Sequence, residues 1–148
     1  MSMKIFPRIW GALRIMQGTP NLEAMRAAEA VLEQDGILGI FPEGHVHKPP
    51  LGTPLPGAAF MALRLGVPIL PMGTFSEDDR NLFGTIREKR RKASVVTRIG
   101  EPFALLEIGE PGKLPGRAEV KAAGQAIMEK IAALLPISAR GPYLTDLS

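Results

Sequence analysis

Five consecutive apolar residues, Ile37-Leu38-Gly39-Ile40-Phe41, stand between Gly36 and Pro42, and no other feature narrows the fold of this chain as much. The run is too short for a core helix and shows no polar alternation. It reads as a strand buried on both faces, the kind found in parallel sheets. A loop rich in proline and glycine follows (residues 42–56), then a short helix (57–65) closed by Gly66. A second apolar run comes next, Val67-Pro68-Ile69-Leu70-Pro71-Met72. Its two prolines weaken it as a strand, because proline cannot donate to a sheet ladder. Strand, loop, helix, strand is a βαβ unit, expected to be parallel with a right-handed crossover.

The flanking sequence fits around that unit. Asn21 is a good N-cap, and Glu23 suits the positive end of a helix. Leu22, Met25, Ala28, Val31 and Leu32 follow a helical stripe that Asp35-Gly36 stops. Residues 73–93 form a long polar connection, and 94–99 read as a third strand ended by Gly100-Glu101-Pro102. Residues 107–116 are again a loop. An amphipathic helix is expected over 118–135, with Val120, Ala123, Ile127, Ile131 and Leu134 on one face and Pro136 at its end. The tail, 137–148, has no usable periodicity. The expected class is α/β, a mostly parallel sheet flanked by helices. In such sheets ligands bind in loops at the carboxyl ends of strands, and residues 42–47 are such a loop.

Composition sets limits on function. One domain with one core fits 148 residues, of which 45% are hydrophobic and 22% charged. The absence of cysteine excludes disulfides, thiolate catalysis and Cys-based zinc sites. Two histidines make a poor metal site, so no metal is expected. A formal net charge of +3 is too mild to imply nucleic acid, and no aromatic platform or reading helix supports it. No apolar stretch approaches the ~20 residues that span a bilayer. Residues 1–18 mix Lys4, Arg8 and Arg14 with Phe6, Ile9 and Trp10. They read as a helix packed on the core, with a membrane-interface helix as the alternative.

Leu38-Gly39-Ile40-Phe41-Pro42-Glu43-Gly44 resembles the third conserved block of the acyltransferases that acylate glycerol 3-phosphate and lysophosphatidate. Val67-Pro68-Ile69-Leu70-Pro71-Met72 resembles their fourth block, and the spacing between the two matches. Residues 11–18 sit where the second block belongs. Ile99-Gly100-Glu101-Pro102-Phe103 and the late helix are similar to the C-terminal part of that domain. The resemblance implies a single partial, N-terminally truncated acyltransferase-like domain over 1–148. Its parts would be a block-two region (1–18), an α/β core (19–136) and a tail (137–148). It implies acyl transfer from acyl-CoA or acyl carrier protein to lysophosphatidate or a related lysophospholipid, with no cofactor. It also implies a cytoplasmic protein, peripheral to the cytoplasmic membrane face. A histidine general base, oriented by an aspartate, would deprotonate the acceptor hydroxyl.

Departures from the family pattern bear on activity. No His-x-x-x-x-Asp occurs: Pro50 lies five positions after His45, and Gly52 five after His47. Gln17 and His45-Val46 stand where arginines that hold the acceptor phosphate are usual. The chain is therefore expected to be inactive by itself, unless a His-Asp segment lies upstream of a mis-set start. The substrate-binding candidates are Phe41, Pro42, Glu43, Gly44, Gln17 and Gly18. Glu43 would accept a hydrogen bond from the acceptor hydroxyl, or else brace its loop by accepting backbone N–H groups. His45 and His47 are weak candidates for a replacement base, or simply solvated loop histidines. Arg87, Lys89, Arg90, Arg91 and Lys92 supply five basic residues in six. They suit an anionic membrane surface, or are a solvated charge run. The alternative function is a non-catalytic module that binds anionic lipid or protein. An uncovered apolar sheet face would favour self-association.

Overall fold

A computed structural model describes residues 22–44, 50–76 and 94–143. The chain divides into two compact units, Met1–Ile40 and Phe41–Ser148.

In the first unit, helix α1 spans Leu22–Leu32 and buries Ala28. It stops where expected, by a division of labour between two residues. Asp35 takes the left-handed turn at φ 57°, a conformation that aspartate tolerates. Gly36 donates to the Val31 carbonyl at 2.9 Å. A Cβ on Gly36 would stand 2.5 Å from that oxygen, so the glycine is needed for close approach.

The second unit is built on two helices, α2 (Pro56–Leu65) and α3 (Arg117–Ala133). Pro56 opens α2, where its missing N–H costs nothing. Gly66 closes it at φ 64°, its N–H bonded to Ala62 O at 2.9 Å. At the start of α3 the Glu119 carboxylate reaches back to the Gly116 N–H at 2.6 Å, which satisfies one orphan donor and places an anion at the positive helix end. The helices pack through Ala59, Ala62, Leu63, Ala123 and Ile127, with Leu105 closing the cluster. A second cluster, Met128, Ala132 and Tyr143, lies further along α3. The predicted apolar face of α3 is thus extended by Met128 and Ala132. After Pro136 the chain makes a short 3₁₀ turn, Ile137–Ala139.

The sheet differs from expectation. Strands β1 (Met72–Ser76) and β2 (Val95–Ile99) pair antiparallel, with Met72 opposite Ile99 and Thr74 opposite Thr97. Among the described residues no parallel pair exists, and the expected right-handed βαβ crossover is replaced by this antiparallel pair. Val67-Pro68-Ile69-Leu70-Pro71-Met72 is not a continuous strand. Neither Pro68 nor Pro71 can donate, so Ile69 makes an isolated bridge to Phe103 and regular pairing starts only at Met72. Two residues separate Ile69 from Met72, while three separate Ile99 from Phe103, so the pairing carries a bulge near Gly100. The 37–41 run is not a strand either. A strand buried on both faces needs neighbours, and among the described residues nothing pairs with it; Ile37 and Phe41 are exposed. The third predicted strand is present as β2. Residues 1–18, Asn21 and most of the 73–93 connection lie outside the described residues. No helix among the described residues is long and apolar enough to cross a membrane.

Candidate functional site

Residues 41–44 and 50–55 are each held by hydrogen bonds. Phe41-Pro42-Glu43-Gly44 forms a β-turn in which the Gly44 N–H donates to Phe41 O at 2.8 Å. Proline at the second position and glycine at the fourth are what such a turn favours. Gly44 sits at φ 78°, where a Cβ would be strained. The Leu55 N–H then donates to Pro42 O at 2.7 Å, which closes the loop immediately before α2.

Glu43 is half-buried, and its Oε1 accepts the Gly52 N–H. Oε2 makes no hydrogen bond among the described residues. The carboxylate therefore does brace its loop, with one oxygen left over. Phe41 and Leu55 expose apolar surface close to the turn.

The far side of the loop is held by the C-terminal tail. Leu51 N–H donates to Ala139 O at 2.9 Å. Tyr143 donates its hydroxyl to Gly52 O at 3.0 Å, and its ring is buried against Met128 and Ala132, with Leu51 packed beside it. Gly141, at φ 60°, comes so close to Leu51 that any Cβ would collide with its carbonyl. Arg140 fixes the preceding turn through Nε to Leu135 O at 3.0 Å. Burial, then the nearby Glu43 and Glu129 carboxylates, raise the Tyr143 phenol above its ordinary pKa. It stays a hydrogen-bond donor throughout the neutral range.

Of the residues singled out in the sequence, Phe41, Pro42, Glu43 and Gly44 are brought together in one turn. Gln17, Gly18, His45, His47 and the basic residues Arg87, Lys89, Arg90, Arg91 and Lys92 lie outside the described residues. Sequence reasoning missed Tyr143 and Gly52. A single aromatic residue in an aperiodic tail carries no local signal, beyond its place just after Gly141-Pro142. A shallow depression of about 150 Å³ lies elsewhere in the second unit, lined by Leu63, Glu110, Lys113 and Glu119 among others. It includes none of the predicted site residues. Among the described residues, no three His, Asp or Glu side chains gather as metal ligands.

The sequence model of one family, described as Acyltransferase, matches residues 4–74. Over that stretch the chain is similar to the family, and the general activity the match supports is acyl transfer. The match takes in both apolar runs, the Phe41–Gly44 turn, Gln17, Gly18 and both histidines, whereas β2, α3 and Tyr143 fall after it. No curated protein and no solved structure matches the chain.

Proposed function

We propose that the second unit carries the acceptor-binding part of an acyltransferase that esterifies lysophosphatidate or a related lysophospholipid, with acyl-CoA or acyl carrier protein as donor. The observation that carries this reading is the Phe41–Gly44 turn, which lies inside the family match and holds the Glu43 carboxylate in one place. One carboxylate oxygen is committed to Gly52, and the other is left for an acceptor hydroxyl. Exposed Phe41 and Leu55 nearby suit an amphiphile, whose polar head would meet Glu43 while its chain meets apolar surface.

The family's His-Asp pair is not among these 148 residues. Loss of a general base costs about 10²–10⁴ in rate, so the chain by itself should turn over little. Purified protein with lysophosphatidate and acyl-CoA tests this. Robust turnover abolished by His45→Ala would overturn the prediction and make His45 the base. The second reading, a binding module without turnover, draws on the five basic residues between 87 and 92 and a peripheral place on the cytoplasmic membrane face. It predicts salt-sensitive binding to anionic vesicles.

A further inference from the structure

The Glu43 carboxylate owes its position to a residue far away in sequence, in the C-terminal tail. Gly52 is held through both of its peptide groups. Its N–H goes to Glu43 Oε1, and its carbonyl receives the Tyr143 hydroxyl at 3.0 Å. Tyr143 is in turn fixed by burial, since it is 4% exposed in a cluster with Met128 and Ala132. A second strut runs parallel to the first, from Leu51 N–H to Ala139 O. A flexible surface glycine would be a poor anchor for a binding carboxylate. Clamped from below by a buried phenol, it becomes a rigid one, and a group held by a locked neighbour binds without first having to be ordered.

We propose that Tyr143 is a positioning residue for acceptor binding, setting the Glu43 carboxylate through Gly52. The proposal rests on the acceptor-binding reading of Glu43. It assigns to the C-terminal tail, which lies outside the matched family segment, a part in the site. The phenol touches no acceptor itself. It withdraws freedom from the peptide that Glu43 grips, so removing the hydroxyl should loosen Glu43 while the ring continues to fill its place on α3.

Tyr143→Phe is the test, read in two ways on the full chain. The Gly52 amide resonance reports the grip directly, with Glu43→Gln as the reference for its loss. Titration with a short-chain lysophosphatidate, kept below its micelle concentration, reports the consequence. Tyr143→Phe should move the Gly52 resonance towards its position in Glu43→Gln. It should also weaken lysophosphatidate binding about fivefold, the scale of one lost hydrogen bond. An unmoved Gly52 resonance together with an unchanged Kd overturns the proposal. A moved resonance in a protein whose wild type binds no lysophosphatidate supports the positioning link and overturns the acceptor reading instead. Should Tyr143→Phe fail to fold, Glu43→Gln supplies the reciprocal measurement. Tyr143 is the sole tyrosine, so its phenolate absorbance can be titrated cleanly, and a midpoint indifferent to Glu43→Gln would sink the coupling.

Discussion

Gly141→Ala should destabilise this protein far more than the same change at Gly112, although both glycines have positive φ. Gly112 sits at φ 83°, and a Cβ added there would have nothing within 4 Å. Alanine there meets only the backbone penalty of the left-handed region, about 1–2 kcal/mol. Gly141 bears the same penalty at φ 60°, and its Cβ would also stand 2.3 Å from the Leu51 carbonyl oxygen. Backbone atoms cannot step aside as a flexible side chain would, so the 51–55 segment must shift. That shift weakens the Leu51–Ala139 hydrogen bond, worth about 1 kcal/mol. It also separates Leu51 from Tyr143, for about another 1 kcal/mol of lost apolar burial. The total is about 3–4 kcal/mol. At about 2–4 °C per kcal/mol for a chain near this size, the melting temperature should fall by about 10 °C for Gly141→Ala and about 4 °C for Gly112→Ala. Thermal unfolding followed by circular dichroism measures both. Equal losses would refute the reasoning, because they would mean that the tail and the loop do not press on one another.

Two further outcomes follow from the same cluster. Tyr143 has its phenol pKa raised by burial and by the Glu43 and Glu129 carboxylates. As pH climbs past about 10 the unfolded chain releases this proton first, while the folded chain still holds it. Stability present below that pH is therefore lost as pH rises towards the folded value; a phenolate midpoint at or below about 10 in the native protein would contradict this. Met128, on α3, is fully buried in a cluster with Ala132 and Tyr143, so Met128→Ala should cost about 2–5 kcal/mol in urea unfolding, and a loss under 1 kcal/mol would show that this cluster is not packed.

What could be read from the sequence divides along a physical line. Helix α2, its Gly66 cap and helix α3 were legible because each is announced locally, by periodicity, a glycine and a following proline. Strand β2 was legible for the same reason. The direction of its pairing was not, because a run of apolar residues records burial and says nothing about which neighbour supplies the hydrogen bonds. The prolines at 68 and 71 were visible as obstacles, and they do delay β1 to Met72. Residues 37–41 show the limit of the burial argument, since Ile37 and Phe41 are exposed despite an unbroken apolar run. The turn at Phe41–Gly44 was legible as a motif. Its support was not, because Gly52 and Tyr143 meet Glu43 only through the tertiary fold, and neither residue type in its local sequence points to the other.

The extra residue between Ile99 and Phe103 decides which way the greasy side chains look. Strands alternate their faces, so Ile99 and Phe103, four apart, would share a side in an uninterrupted strand. The bulge switches the phase between them: Ile99 looks outward opposite Met72, and Phe103 turns in against the cluster that joins α2 to α3. Removing one of residues 100–102 would leave Ile99 and Phe103 three apart, the same spacing as Met72 and Ile69 on the partner strand, so both side chains would keep their faces without a bulge. The bulge therefore absorbs one surplus residue and leaves Phe103 opposite Ile69 on the inward face.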